Sequence, residues 1–141
     1  EMAVTDIIAI HDYDHSPERI RERYGNRSDP REMLRLERPG HRVLLLDEQA
    51  YQDDPIMLTE FGGIALKREG VWGYSVAETP ADLAARYRKL LDAVNDLPLF
   101  SGFCYTQFAD TYQEANGLLF ADRTPKFELK LMGAATRGEG R

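Results

Sequence analysis

Three short apolar segments, separated by helix-forming sequence, constrain the fold of this chain more than any other feature. They lie at residues 6–10, 56–59 and 100–105, and each runs into polar or aromatic side chains. Short segments that are apolar on both faces are typical of parallel strands covered by helices. The order strand, helices, strand, helix, strand, helix therefore predicts an α/β fold with these strands in one parallel sheet. A fourth apolar stretch, residues 43–46, fits either a strand or a packed connector.

Four sequence pairs predict where helices begin. In each, a residue that can cap a helix precedes a proline at the first helical position: Ser16-Pro17, Asp29-Pro30, Thr79-Pro80 and Thr124-Pro125. The third pair is followed by apolar side chains at helical spacing, namely Leu83, Tyr87, Leu90, Leu91 and Val94. This spacing predicts an amphipathic helix of about four turns.

Composition narrows the classes of function. The 141 residues suffice for one domain with a buried core. The longest apolar runs fall far short of the roughly 20 residues that span a bilayer, so no membrane partner is expected. A net charge of -6 argues against a nucleic-acid partner. The single cysteine, Cys104, excludes an intrachain disulfide, and its apolar neighbours predict a buried thiol. No signal segment is recognised, and the compartment stays open between cytoplasmic and secreted.

The carboxyl ends of the predicted strands carry the candidate functional residues. In a parallel sheet these ends share one edge, where ligands bind. The set contains acids, aromatic rings and an amide: His11, Asp12, Tyr13, Glu60, Tyr105, Thr106, Gln107 and Asp110. Such groups suit a polyhydroxylated ligand, because aromatic faces pack on sugar rings while polar groups bind the hydroxyls. Glu60, held by a buried strand, suits a nucleophile or a general acid/base.

Other kinds of site fit the sequence less well. His11, Asp12 and His15 are close together, but their spacing matches no metal motif, so neither a metal nor a cofactor is expected. The pair Gly62-Gly63 lacks the surrounding pattern of a phosphate-binding loop. No serine occupies a Gly-x-Ser-x-Gly elbow, which argues against a Ser-His-Asp hydrolase.

Four segments, in their order along the chain, resemble glycoside hydrolase family 2. They are Thr59-Glu60-Phe61-Gly62-Gly63, Trp72-Gly73-Tyr74, residues 102–107 and residues 110–119. This family includes β-galactosidases, β-glucuronidases and β-mannosidases. The resemblance implies that residues 1–137 are part of a (β/α)₈ catalytic barrel, about its sixth, seventh and eighth strands. Residues 138–141 would form a flexible tail.

The resemblance also implies roles for individual residues. Glu60 matches the nucleophile that ends the seventh strand and forms a glycosyl-enzyme intermediate in a retaining mechanism. Tyr13 matches a tyrosine that hydrogen-bonds this carboxylate, and Tyr105 stands where relatives often have a sugar-stacking tryptophan. Trp72 would line the entrance of the pocket or pack at its rim. Further contacts to a carbohydrate substrate are expected from His11, Gln107, Asp110 and Asn116.

One half of the catalytic pair is missing from the chain. Retaining hydrolysis uses two carboxyl groups about 5–5.5 Å apart, and in the family the acid/base is the glutamate of an Asn-Glu pair. These 141 residues contain no Asn-Glu pair, whereas a whole barrel takes about 250 residues. Asp12 or Asp110 would be the substitutes, although no sequence feature places either one opposite Glu60. We therefore expect a glycosidase fragment that is inactive alone and self-associates through its open barrel edges.

Two alternatives stay open on the sequence. A stand-alone α/β module would bind or stack on sugars through its strand-end aromatic and amide groups without cleaving them, or serve a structural role. An unrelated small hydrolase would combine Glu60 with Asp12 or His11. The sequence specifies neither the sugar nor the linkage.

Overall fold

The computed structural model describes residues 5–25, 29–37, 41–46 and 51–139. Within these ranges, strands and helices follow the predicted α/β order, with one additional pair of short strands. The elements are β1 (Ile8–Asp12), α1 (Pro17–Gly25), α2 (Pro30–Leu34), β2 (Ile56–Gly62), β3 (Ile64–Leu66), β4 (Ser75–Ala77), α3 (Pro80–Asn95), β5 (Gly102–Thr106) and α4 (Leu129–Thr136).

The three predicted strands form one parallel sheet, which confirms the α/β prediction. Their order is β1-β2-β5, so each strand lies beside the next one along the chain. Because parallel crossovers are right-handed, successive steps in one direction place the connecting helices on the same face of the sheet. The short strands β3 and β4 pair with each other in parallel, in the segment between β2 and α3.

Burial alternates along the sheet, in contrast to the predicted strands with two apolar faces. In β1, Ile8 and Ile10 are buried while His11 is exposed. In β5, Phe103 and Tyr105 pack against the core, whereas Cys104 between them is exposed. The prediction of a buried Cys104 is therefore wrong. Side chains alternate along a strand, and Cys104 points away from the face on which the helices pack.

Three of the four predicted helix starts are confirmed. Helices α1, α2 and α3 begin at Pro17, Pro30 and Pro80. The Thr79 side chain accepts a hydrogen bond from the Asp82 N–H, as a helix cap does. The apolar face predicted for α3 is buried in full: Leu83, Tyr87, Leu90, Leu91 and Val94.

The fourth predicted start, Thr124-Pro125, is a turn. The Asp122 side chain accepts the Thr124 N–H at 2.9 Å, and the Thr124 carbonyl accepts the Phe120 N–H at 2.8 Å. Local side-chain hydrogen bonds of this kind compete with helix formation. The last helix begins four residues after the proline, at Leu129.

Two further segments differ from, or decide between, the sequence expectations. Residues 43–46 form no strand and act as a connector, with Leu44 buried.

At the end of α4, Gly138 has a φ of 66° and donates to the Ala135 carbonyl, while Glu139 donates to the Ala134 carbonyl. This is the Schellman pattern of a helix end, so these two residues cap α4, and the flexible tail expected at residues 138–141 stays a prediction. Residues 140–141 lie outside the described residues.

No helix in the described part of the chain combines the length and apolar character that crossing a membrane requires.

Candidate active site

Glu60 lies near the carboxyl end of β2, the central strand of the three-stranded sheet. Its register partner on β1 is His11, and the ladder shifts by one residue just before this pair. Irregularities of this kind re-aim side chains and are common beside active sites. The Glu60 side chain is 43% exposed. The strand therefore holds the backbone of Glu60 while its carboxylate reaches solvent.

Two side chains from β1 and the residue after it contact the Glu60 carboxylate. The Tyr13 hydroxyl donates a hydrogen bond of 2.7 Å to Oε2, and Nδ1 of His11 lies 3.3 Å from the same oxygen. Both contacts reach Oε2, so the carboxylate is oriented from the β1 side. Burial, together with the hydrogen bond to Glu60, raises the pKa of the Tyr13 phenol above its ordinary value. Tyr13 is therefore a neutral hydrogen-bond donor near neutral pH.

The chain turns sharply after the strand, and two glycines make this turn possible. Gly62 and Gly63 have φ values of 90° and 63°, which favour glycine. A Cβ on Gly62 would lie 2.1 Å from the Tyr105 ring, and a Cβ on Gly63 would lie 2.5 Å from the Tyr74 ring. The absence of side chains at both positions lets these aromatic rings pack against the strand end.

Tyr74 completes an aromatic group beside the carboxylate. Its ring stacks on Tyr13 with centroids 3.7 Å apart and planes 10° apart. Trp72 meets Tyr74 edge-on at 5.7 Å and 70°. Trp72 and Tyr74 are 47% and 50% exposed. In the sequence, Tyr74 stands in the Trp-Gly-Tyr motif without an expected role of its own, and the spacing from Trp72 is the signal that marks it.

Tyr105 packs toward α3 and belongs to the core. Its ring contacts Phe61 at 5.5 Å and Tyr87 of α3 at 4.9 Å, both edge-on. Its hydroxyl accepts the Ile64 N–H at 3.3 Å, and burial raises the pKa of the Tyr105 phenol. Tyr105 is only partly buried, and the sugar-stacking role expected for it stays a prediction.

Asp12 is turned toward α1. Its carboxylate accepts hydrogen bonds from Arg23, from the Tyr24 hydroxyl at 2.6 Å and from the Asp14 N–H at 3.0 Å. Its side chain is 6% exposed. Asp12 therefore joins the end of β1 to α1, which does not fit the suggested roles of substitute acid or metal ligand. The described residues contain no group of three or more His, Cys, Asp or Glu arranged to hold a metal ion.

The Asp110 carboxylate is also bound by ion pairs and hydrogen bonds within the fold. Its side chain is 1% exposed and accepts from Lys126 Nζ at 2.7 Å, from the Gly117 N–H at 2.9 Å and from Arg68 at 3.4 Å. Lys126 donates also to the Ala115 carbonyl at 2.8 Å. Burial lowers the pKa of Lys126, although Asp110 opposes the shift. The sequence analysis missed Lys126, and no local signal marks a lone lysine as the partner of Asp110.

Gln107 and Asn116 organise the loop after β5. Nε2 of Gln107 donates to the Glu114 carbonyl at 3.2 Å, and Nδ2 of Asn116 donates to the Glu114 carboxylate at 3.0 Å. Asn116 is fully buried. The Trp72 backbone pairs with the same loop through Gln113 and Ala115, at 2.9 Å each. This loop thus supports the aromatic group, and substrate contacts by Gln107 and Asn116 stay a prediction.

A cleft of about 870 Å³ lies beside the carboxylate. His11 and Tyr13 line its border with the site, and Arg19 and Arg23 of α1 line the other side. Glu60 is not among the lining residues. The carboxylates and the arginines that line the cleft are equal in number, three of each, beside two histidines, so with neutral histidines formal charge does not select a charged ligand there.

Comparison with known proteins finds a shared fold but no match in sequence. No protein-family profile matches the chain, and no curated protein sequence matches it. An exo-β-agarase structure shares 19% identity and a TM-score of 0.59 over 94% of this chain and 16% of the agarase.

Two β-glucuronidase structures are also similar. The enzyme from Faecalibacterium prausnitzii shares 22% identity with a TM-score of 0.49, over 94% of this chain and 21% of the enzyme. The Bifidobacterium dentium β-glucuronidase complexed with coumarin-3-O-glucuronide shares 24% identity with a TM-score of 0.42, over 59% and 14%. The chain thus spans between 14% and 21% of the length of these proteins. At such identities the likeness to the agarase concerns the fold alone.

Proposed function

We propose that this chain is the part of a retaining β-glycosidase that carries the catalytic nucleophile, Glu60. The observation that carries the proposal is the 2.7 Å hydrogen bond from Tyr13 to a carboxylate that stays 43% exposed. The site lies at the carboxyl edge of a parallel sheet, where α/β enzymes place their reacting groups. The fold shared with part of an exo-β-agarase supports the assignment.

The contacts fit the first step of such a reaction. An oxygen of the ionised Glu60 attacks the anomeric carbon, and the bond to the leaving-group oxygen breaks as a glycosyl ester forms. The leaving oxygen takes a proton from a general acid, and water then hydrolyses the ester. Tyr13 orients the carboxylate before attack and donates a hydrogen bond to it without losing its own proton.

We place the general acid outside this chain. Asp12 and Asp110, the two acids considered as substitutes, are both held by cationic partners and backbone N–H groups. The proposal therefore includes a fourth-strand acid in a (β/α)₈ barrel of the family 2 type, as in β-galactosidases and β-glucuronidases. The 141 residues alone would then bind a glycoside without turning it over.

Covalent trapping tests the nucleophile. We expect 2-deoxy-2-fluoro-β-glycosyl fluorides to label the full-length polypeptide containing this chain, with the label on the Glu60 peptide by mass spectrometry. Glu60→Gln should abolish labelling and reduce turnover on the order of 10⁴-fold or more. Glu69→Gln, at an exposed acid of the following loop, is the matched control. A label on any other carboxylate would contradict the assignment.

We also propose that the isolated chain self-associates. Its sheet has β1 and β5 as outer strands, and Cys104 on β5 is exposed. Outer strands of a sheet are templates for pairing with another chain. Light scattering should show a mass that rises with concentration; a monomer at every concentration would contradict this proposal.

A second candidate function is sugar binding without cleavage. It is favoured by the engagement of both Asp12 and Asp110, together with the exposed rings of Trp72 and Tyr74. Calorimetry distinguishes it from the first proposal, because a binding module would retain its affinity in the Glu60→Gln variant and the full-length polypeptide would show no turnover.

A further inference from the structure

Trp72 and Tyr74 form a corner of two half-exposed aromatic rings, which we call the aromatic corner. Their rings meet at 70° with centroids 5.7 Å apart, and each residue is about half exposed. Two rings at a steep angle can contact a third ring on its face and at its edge. Exposed aromatic side chains bind rings through large, rigid contact areas at low entropic cost.

A single side chain connects the aromatic corner to the nucleophile. Tyr13 stacks on Tyr74 at 3.7 Å and donates its hydroxyl hydrogen bond to Glu60. A ligand ring in the corner therefore lies next to the position of the sugar that Glu60 attacks. It would not overlap that sugar, because the Tyr13 ring separates Tyr74 from the carboxylate.

The backbone beneath the aromatic corner is fixed in advance. The Trp72 N–H donates to Gln113, and the Trp72 carbonyl accepts from Ala115. A Cβ on Gly73 would lie 2.4 Å from the Asn116 side chain and 2.6 Å from Ala65, so this glycine lets the loop pack closely. A preorganised loop loses little conformational entropy when a ligand binds.

We propose that the aromatic corner is the binding subsite for the ring of the leaving group, either an aryl aglycone or a second sugar. The inference rests on the proposed role of Glu60. The rings are exposed at the rim of the site, where the departing part of a substrate must leave. Their ring faces select planar or ring-shaped groups over a methyl group.

Trp72 is the only tryptophan of the chain, so its fluorescence reports directly on the aromatic corner. The probes are the phenyl and methyl β-glycosides of galactose, glucose and glucuronic acid, titrated into the 141-residue chain. For at least one sugar, the phenyl glycoside should give a saturable change at concentrations at least about tenfold lower than the methyl glycoside. Equal responses, or no response to any of the six glycosides, would overturn the proposal.

Substitutions in the corner provide the matched comparison. Tyr74→Ala should weaken phenyl glycoside binding at least about fivefold, while Tyr74→Phe, which keeps the ring, should bind like the wild type. Phe108→Ala, at an aromatic residue that is 66% exposed on another loop, should change nothing. An unaltered affinity in a folded Tyr74→Ala variant, judged by circular dichroism, would overturn the proposal.

A substrate whose leaving group has no ring tests the assignment of Glu60 separately from the inference about the aromatic corner. In the full-length polypeptide, Tyr74→Ala should raise KM for the aryl glycoside at least about fivefold more than it slows labelling by a 2-fluoroglycosyl fluoride. If Glu60 is labelled normally and both kinds of substrate respond alike, the proposed subsite is contradicted while the assignment of Glu60 as the nucleophile holds. If Glu60 is never labelled, the proposed function fails first.

Discussion

Glu60 and Asp110 show two opposite uses of a carboxylate in one small fold. The Glu60 side chain is 43% exposed and is contacted by a neutral phenol and an exposed histidine. The Asp110 side chain is 1% exposed and is surrounded by Lys126, Arg68 and a backbone N–H. Glu60 lies near the carboxyl end of β2 and Asp110 follows the carboxyl end of β5, so position along the fold does not distinguish them.

The difference lies in the hydrogen bonds that each carboxylate already accepts from the rest of the protein. A buried carboxylate held by a buried cation has little capacity left for a substrate, and losing either partner leaves an uncompensated charge. A half-exposed carboxylate oriented by a neutral donor keeps both its charge and its access. The same comparison holds for Asp12, whose carboxylate is bound by Arg23 and Tyr24. Of these three acids, Glu60 is the one with an exposed carboxylate, as the proposed role requires.

The largest effect on stability should come from breaking the buried pair. Asp110→Asn should lower the free energy of unfolding by about 3 kcal/mol, because it leaves the Lys126 ammonium buried without its counter-charge. Glu60→Gln, the matched change at the exposed site, should stay within about 0.5 kcal/mol of the wild type. Urea denaturation measures the free energy of unfolding of both variants. Similar losses would contradict the distinction between a structural carboxylate at Asp110 and an accessible one at Glu60.

The turn that follows Glu60 should be the next most sensitive feature. Gly62→Ala combines a φ of 90° with a Cβ that would lie 2.1 Å from the Tyr105 ring. We expect a loss of about 2 kcal/mol or more. Gly70→Ala is the control, since its φ is 71° but no atom lies within 4 Å of the added Cβ. It should cost about 1 kcal/mol, and equal losses would show that crowding by Tyr105 is unimportant.

The smallest effect concerns the pH dependence of stability around Tyr13. The folded-state pKa of Tyr13 lies above the unfolded value of about 10. The folded state thus keeps a proton that the unfolded state releases, and stability falls as the pH rises above about 10. Tyr13→Phe should reduce this fall in urea titrations at alkaline pH. Tyr112→Phe, at a residue that is 91% exposed, should leave it unchanged, and identical curves for wild type and Tyr13→Phe would contradict the prediction.

Local patterns were sufficient for most of the secondary structure. The apolar spacing after Pro80 predicts α3 with its buried face, and the strand segments predict a parallel sheet, because both signals come from neighbouring residues. The pair Thr124-Pro125 carries the same cap signal but forms a turn, since the backbone of Phe120 and the side chain of Asp122 bind Thr124 instead. A cap signal cannot report which competing partner is close in space.

The sequence by itself determined that Glu60 lies near the end of an apolar strand, that glycines follow it, and that Tyr13 follows the preceding strand. The hydrogen bond between Tyr13 and Glu60 became expected through the family resemblance. Only the tertiary structure decided that cationic side chains bind the Asp12 and Asp110 carboxylates. The same holds for the packing of Tyr105 toward α3 and the stacking of Tyr74 on Tyr13. The reason is physical: strand ends can be read from local periodicity, whereas the donors that surround a side chain come from segments distant in sequence.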